Sequence, residues 1–420
     1  MNTEEKKTFS PKLRFPEFRG AEEWSNQQLG NVAKFFKGKG LPKSALTLNG
    51  KRPCIHYGEL FTFYSEVIDV VRSRTNSEDD LFLSVKNDVL MPTSDVTPSG
   101  LAKACCLNSE GVILGGDILV IRTDKDSVNG EFLARQIRHL EHKVLQLVSG
   151  STVFHLYASS MEKLALSFPS KFAEQQKIAD CLSSLDELIA VQARIVEALK
   201  AHKKGLMQQL FPREGETQPR LRFPEFQNTG DWVEQSVGDF GKVVTGNTPS
   251  TAQPAFYGGG IPFASPADIS DLRFVDQTKT TLTPEGFAVT RPIRAGSVLF
   301  VCIGSTIGKV AQNVRDCATN QQINSVVPSS KHSDNFVYFA LSHASERIAL
   351  LAGRQAVPII NKSLFSSVQL LVPKFAEQKR IADCLTTLDD LIAAAIQGFD
   401  TLKTHKKGLM QQLFPSRRDD

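Results

Sequence analysis

Several polar runs in this 420-residue chain concentrate side chains that can meet phosphate oxygens and base edges. The second half carries VVTGNTPSTAQPAFYGGGIPFASPADI from Val243, IGSTIGKV from Ile303 and ATNQQINSVVP from Ala318; the first carries KFFKGKGLPKSAL from Lys34, HYGELFTFY from His56, RSRTN from Arg72, LMPTSDVTPSGLAKA from Leu90 and SGSTVFHLY from Ser149. Their Asn, Gln, Ser, Thr, Lys and Tyr are donors and acceptors suited to nucleic acid, and they are also the usual material of solvated turns. The net charge of +4 permits a nucleic-acid partner without announcing one.

No catalytic constellation competes with that reading. GSTIGKV at Gly304 to Val310 imitates a phosphate loop, but only three residues separate its glycines and Val310 stands where a magnesium-binding Ser or Thr belongs. The eight histidines form no HExxH set, there is no GxSxG elbow, and the Asn-Pro-Pro or Asp-Pro-Pro tetrad that holds a flipped base in amino-methyltransferases is missing. The seven cysteines, at 54, 105, 106, 181, 302, 317 and 384, include no CxxC pair, which argues against a disulfide frame and a zinc ribbon alike. Cys181 and Cys384 read as small helix-packing residues.

What must position these loops is a frame that occurs twice. Phe172 to Pro212 and Phe375 to Pro415 match at about 27 of 41 positions, and PKLRFPEFRGAEEW at Pro11 to Trp24 recurs as PRLRFPEFQNTGDW at Pro219 to Trp232. The long repeat has heptad spacing: Ile178, Leu182, Leu185, Ile189, Val196, Leu199, Leu206 and Leu210, interrupted by Gln192 and Lys203. The second copy has Ile381, Leu385, Leu388, Ile392, Ala395, Phe399, Leu402, Leu409 and Leu413, interrupted by Lys406. Prolines at 169, 212, 373 and 415 bound both segments. About 33 residues at 1.5 Å each predict helices of roughly 50 Å, each with an apolar stripe that needs a partner; the other copy, antiparallel about a pseudo-twofold axis, is the nearest one.

The seam alone does not require the polar positions to repeat. Glu174, Gln175, Asp180, Asp186, Lys200, His202, Lys203, Lys204, Gln208 and Gln209 nonetheless recur as Glu377, Gln378, Asp383, Asp389, Lys403, His405, Lys406, Lys407, Gln411 and Gln412. A recent duplication explains this, and so does one docking face presented twice to the same kind of partner. The expected docking residues are Glu174, Gln175, Asp180, Asp186 and Gln208 with Glu377, Gln378, Asp383, Asp389 and Gln411.

Between the repeated ends lie two inserts with little shared sequence, Ser25 to Pro169 and Val233 to Pro373. Short β-like runs at Val112 to Leu114, Asp117 to Arg122, Ser297 to Ile303, Gln322 to Val327 and Ser367 to Val372, with helical periodicity at Gly130 to Val148 and Asn335 to Leu351, predict a loop-rich mixed domain in each half. The fold class is thus α+β: two pseudo-twofold-related globular domains separated by a long antiparallel two-helix coiled coil. The expected divisions are 1–170, a spacer helix at 171–212, 213–373, and a second spacer helix and tail at 374–420. The start MNTEEKKTFS lacks the apolar core of a signal peptide and no run is long enough to span a membrane, so the expected address is cytoplasmic.

Together, GNTPSTAQPAFYGGGIPFASPADI at Gly246 to Ile269, IGSTIGKV, ATNQQ, NKSLFSSVQLLVPKFAEQKRIADCL from Asn361, YGELFTFY and GSTVFHLYASSMEKL resemble recurring phrases of the specificity subunits of Type I restriction-modification systems. The first insert departs most, with KGKGLPKSAL where the second has TGNTPSTAQP. The resemblance implies two target recognition domains, each reading one half of a bipartite asymmetric sequence in double-stranded DNA. It implies two methyltransferase subunits, which bind S-adenosylmethionine and methylate adenine, restriction-translocation subunits, and neither catalysis nor cofactor in this chain. On that reading the DNA contacts come from Lys39, Lys43, Tyr57, Arg74, Ser94, Thr152 and His155 in the first domain. In the second they come from Thr248, Ser250, Tyr257, Ser305, Thr306, Lys309, Asn320, Gln321 and Lys362. The competing readings are a coiled-coil scaffold or adaptor that does not bind DNA, and a related modification enzyme, which the missing motifs weaken.

Overall fold

A computed structural model describes residues 8–78, 81–353 and 357–415. The chain divides into two compact units, one of residues 1–191 with 399–420 and the other of residues 192–398. Each unit holds one globular head, the first turns of the long helix that follows that head, and the end of the other long helix. The spacer helices are therefore shared between the units instead of forming domains of their own. The tail from residue 416 lies outside the described residues.

In the first unit a five-stranded sheet has the order Ala33–Lys37, Ile118–Thr123, Asp88–Pro92, Cys105–Leu107, Val67–Ile68. A second sheet has the order Ser73–Thr75, Arg52–Ile55, Ile113–Leu114, Phe82–Leu83. Helix α1 (Gly130–His139) packs its buried Phe132, Leu133 and Ile137 into a core with Trp24, Val89, Met91 and Ile121. Its Asn129 cap accepts from the Phe132 amide at 2.8 Å, which is why the predicted helix begins where it does. The predicted run to Val148 is broken at Leu140, and Glu141–Leu145 forms a separate short helix. Helix α2 (Phe172–Leu210) follows.

The second unit repeats this build from different residues. Its five-stranded sheet has the order Gly241–Thr245, Ile323–Pro328, Val298–Val301, Val310–Asn313, Phe274–Val275, and its smaller sheet Thr280–Leu282, Tyr257–Ala264, Ala318–Thr319. Helix α3 (Asp334–His343) is capped by Ser333 and buries Phe336, Val337 and Phe339; helix α4 (Phe375–Leu413) is the last element among the described residues. Both long helices run 39 residues, against the expected 33 or so of seam.

The short repeat joins each head to its own long helix. Trp24 is fully buried and its Nε1 donates to Glu174 Oε1 at 3.1 Å, while Arg14 donates from Nε and Nη2 to the two oxygens of Glu174 at 2.8 and 2.7 Å. Trp232 and Arg222 hold Glu377 in the same way, at 3.3, 2.8 and 2.8 Å. One position on, Gln175 Oε1 accepts from the Asn129 amide at 2.9 Å and Gln378 Oε1 from the Ser333 amide at 3.1 Å, so each glutamine satisfies a backbone donor at the start of α1 or α3.

The far end of the other helix completes each core. Leu413 and Phe414 are buried in the first core, where Phe414 meets Phe132 at 5.4 Å between ring centroids; Leu210 and Phe211 are buried in the second, where Phe211 meets Phe336 at 5.7 Å. A backbone bond from Leu13 N to Gln412 O and its counterpart from Leu221 N to Gln209 O, both 2.9 Å, fasten those ends. Within each unit the helices are antiparallel. Lys406 pairs with Asp186 in the first, and Lys203 with Asp389 in the second, where Gln192 Nε2 also donates to Ala395 O at 2.9 Å. The three polar interruptions of the seam are thus each answered by a polar partner.

None of the described helices is long and apolar enough to cross a membrane. The burial of Phe414 predicts that Phe414→Ala destabilises the first unit by about 3–5 kcal/mol through lost transfer energy and the cavity left behind. In urea unfolding followed by hydrogen exchange, protection should fall in residues 8–191 and hold in 213–373; equal loss in both would show that the core assignment is wrong.

Candidate nucleic-acid interface and docking faces

In the second unit a glycine brings the polar loops together. A Cβ at Gly246 would lie 2.2 Å from the carbonyl oxygens of Thr319 and Asn320, so only glycine lets the loop after Gly241–Thr245 rest directly on the turn that starts Ile323–Pro328. Thr248 Oγ1 then donates to Gln321 Oε1 at 2.8 Å, and the Tyr257 hydroxyl donates to Pro249 O at 2.8 Å. Asn320 Nδ2 donates to Gln322 Oε1 at 2.9 Å, and Cys302 N to Gln322 O at 2.8 Å. Gln322 therefore couples this cluster to the turn at Gly304, whose positive φ of 99° sets Ser305 at an exposed apex with Thr306 beside it. The bridge between Ile303 and Ile359 brings the start of the Lys362–Ser367 helix, with exposed Lys362, to the same edge. Ser250 is exposed in the Gly246 loop.

The edge thus gathers Thr248, Ser250, Tyr257, Asn320, Gln321, Ser305, Thr306 and Lys362. Lys309 differs, because its Nζ donates to Ile269 O at 3.0 Å and so ties one loop to another. Sequence reasoning missed Gln322, which it placed at the start of a strand, and Arg291, whose Nη1 donates to Thr245 O at 2.8 Å beside the Gly246 loop.

The first unit makes the same crossing with other residues. A Cβ at Gly38 would fall 1.9 Å from Gly115 O, and Gly40 and Leu41 both have left-handed φ, 60° and 63°, in the loop that exposes Lys39 and Lys43. Gly38 thus occupies the place of Gly246, although the flanking sequences differ. Ser94, Thr152 and His155 come together in a flap: Phe154–His155 pairs with Ser94–Asp95, His155 exchanges backbone bonds with Ser149, and Thr152 lies at the exposed tip. Tyr57 is half-buried against His56, with ring centroids 4.6 Å apart, and packs on the core. Arg74 stands apart from the others. Its guanidinium donates to Gly50 O at 2.5 Å and Lys51 O at 2.7 Å, so its hydrogen bonds hold a loop of the second sheet.

The ten expected docking residues fall into three groups. Glu174, Gln175, Glu377 and Gln378 are 1–2% exposed and bonded within their own units, so the recurrence of these four has an internal cause and the docking expectation is corrected there. Asp186 and Asp389 are ion-paired inside their units. Asp186 is met by Arg135 of α1 at 2.7 Å, whereas Asp389 is met by Arg273, which comes from the loop before Phe274–Val275 and lies 4.7 Å over the ring of Phe339. Counting from the helix caps, Phe339 stands in α3 where Arg135 stands in α1. Asp180, Asp383, Gln208 and Gln411 are exposed.

Gln208 and Gln411 line matching grooves. The second unit has one of about 1130 Å³ bordered by Lys200, Lys204, Met207, Gln208, Asp389 and Ile392; the first has one of about 500 Å³ bordered by the repeat mates Lys403, Lys407, Met410, Gln411, Asp186 and Ile189. The non-helical walls differ, with Arg273 in one and Glu66 in the other. Burial pushes the thiols of Cys54, Cys302 and Cys317 up, to about 11, 12 and 12, so these three are unreactive packing residues. Among the described residues no group of three or more His, Cys, Asp or Glu could hold a metal ion.

The family described as Type I restriction modification DNA specificity domain matches residues 21–201 and 229–398. The chain belongs to that family and carries the domain twice; it is a specificity subunit, the non-catalytic component of a Type I restriction-modification system. The type I restriction enzyme HindI specificity subunit of Haemophilus influenzae is 24% identical over 333 residues, 63% of this chain and 72% of that protein. The fold is that of the S subunit of the Type I system of M. genitalium, at a TM-score of 0.64 and 16% identity over 97% of this chain and 99% of that one. A chain solved in connection with complex assembly and conformational transition of the type I R-M system gives 0.56, also at 16% identity, over 94% and 98%.

Glu66 supplies a pH test of the first unit. Burial opposes its ionisation, but Lys406 and Arg138 outweigh burial and hold the carboxyl at about 2, below the ordinary 4.5. A carboxylate depressed by folding contributes stability above its unfolded pKa and loses it as pH falls through the folded one. Glu66→Gln is therefore expected to cost up to about 3 kcal/mol above pH 5, with the difference from the unaltered chain closing towards pH 2 in urea melts. A gap that does not change with pH would rule this out.

Proposed function

We propose that this chain gives a Type I restriction-modification complex its DNA sequence, each head reading one half of a bipartite asymmetric target and the long helices setting the gap between halves. Two methyltransferase subunits, which bind S-adenosylmethionine and methylate adenine, dock on it, and restriction-translocation subunits join them. The observation that carries the reading is the matched pair of loop crossings at Gly38 and Gly246: one frame presents polar edges of different sequence in the same place. Invariant support with variable edges is what a pair of readers for two different half-sites requires. The edge of the second head supplies hydroxyl, amide and amine groups for phosphates and base edges, and a well-placed bidentate amide discriminates a base by about 1–3 kcal/mol.

The reader assignment is tested by co-expressing the chain with its methyltransferase and mapping N6-methyladenine across a genome. Asn320→Ala with Gln321→Ala should relax at least one position of one half-site about tenfold or more and leave the other half-site intact. Unaltered methylation at every position would remove this pair from the readers. Exchanging residues 233–373 for a foreign insert should replace that same half-site alone, whereas a scaffold that does not bind DNA would yield no motif at all.

The spacer assignment has a separate measurement. One heptad inserted into each long helix should lengthen the unread gap of the methylated motif without changing its ends. A gap of the original length would mean that something other than the helices sets it.

A further inference from the structure

The long helices contain three interior glycines, Gly205, Gly398 and Gly408. Glycine inside a helix is less stable than alanine, because more backbone freedom is lost and no side chain packs in return. At several places in this chain an internal reason exists: a Cβ at Gly38, Gly246 or Gly286 would lie 1.9 to 2.2 Å from a backbone oxygen. Gly398 has a milder one, since its Cβ would lie 3.2 Å from Gln192 Nε2. At Gly205 and Gly408 an added Cβ would find nothing among the described residues within 4 Å, the helix's own nearby backbone aside. These two are repeat mates, so the same penalty, with no packing among the described residues to account for it, occurs in both copies.

Neither glycine lines a groove itself, but each lies beside groove-lining residues on its own helix. Gly205 follows Lys204 and lies about 60° round the helix from Gln208; Gly408 is related in the same way to Lys407 and Gln411. We infer that Gly205 and Gly408 are close-approach points at which the main chain of a docked methyltransferase subunit crosses the long helix, one copy at each glycine. The inference rests on the docking reading above and specifies its contact. Removing the Cβ lets a second backbone come nearer than side chains ordinarily permit, which accounts for glycine where the isolated chain would be better served by alanine. The crossing segment is acidic where it meets the exposed Lys200 and Lys204 in one unit and Lys403 and Lys407 in the other. A protein fits this face better than a DNA backbone does. Met207 and Ile392 offer apolar surface beside the glycine, and the carboxylates of Asp271, Glu346 and Asp390 also border the second groove, where they would repel phosphate.

The test uses the full chain and its own methyltransferase subunit, with stoichiometry read by native mass spectrometry and affinity by calorimetry. Gly205→Ala and Gly408→Ala should each raise the Tm of the free chain by about 2 °C and weaken one of the two methyltransferase copies about tenfold or more. Each single variant should then stop at one copy, and the double variant should bind neither copy well. Gly398→Ala, whose neighbour is internal, should leave both copies in place. A raised Tm with unchanged binding would overturn the inference, as would a lowered Tm, which would expose an internal role for the glycines. Loss of DNA affinity in the absence of methyltransferase would overturn it in favour of a phosphate contact. If the unaltered chain binds no methyltransferase, the docking reading itself fails and takes the inference with it.

Discussion

The organisation of both units depends on a buried carboxylate at the start of each long helix. Glu174 is 1% exposed, and its two oxygens are held by the Arg14 guanidinium and the Trp24 indole; Glu377 is held by Arg222 and Trp232 in the same way. A charge in that position is tolerable only when it is fully satisfied, so the arginine, the tryptophan and the glutamate form one indivisible group. The group fixes where a head begins and where its helix leaves it. The neighbouring glutamines, Gln175 and Gln378, then set the start of the helix that packs across the sheet.

Recurrence in the chain therefore has two physical origins. Some repeated residues recur because each unit must solve the same internal problem: the Glu–Arg–Trp group, the Lys–Asp pairs between antiparallel helices, and Phe211 and Phe414 in the cores. Others, such as Lys200, Lys204 and Gln208 with their mates, are exposed and line matching grooves; the internal contacts of Lys200 with Glu197 and of Lys403 with the Phe399 ring differ between the copies and do not explain the recurrence. The second kind is the one the proposed docking draws on.

Much of the frame was legible in the sequence, because heptad spacing and bounding prolines are local signals; the helices end at Leu210 and Leu413, two residues before the prolines that mark them. The strands at Ile118–Thr123 and Ile323–Pro328 were also visible as apolar runs. The order of strands in each sheet was not, since pairings such as Ala33–Lys37 with Ile118–Thr123 join distant segments without a local mark. Glu174 and Gln175 were misjudged because a helix enclosed by its own head and a second helix buries polar positions as well as its apolar stripe. A signal did exist: LRFPEF with its tryptophan recurs together with FAEQ, as segments in contact should. At the proposed reader edge, residue types suggested candidates, but only the fold distinguishes Gln321, which faces the Gly246 loop, from Arg74 and Lys309, which hold carbonyls.

The carboxylate that follows the buried pair by twelve residues shows how freely the heads can change. Asp186 takes its guanidinium from α1, and Asp389 takes its own from a loop before the edge strand of the sheet, with Phe339 filling the place the first arginine would have had. The helix thus imposes a socket rather than a sequence: a positive, planar group must arrive at one point, and the segment that delivers it is unconstrained. In these two units, heads that share little sequence meet the same point on the helix with the same group. A foreign head that matches in fold but brings no cation there would seat poorly on an otherwise faultless helix.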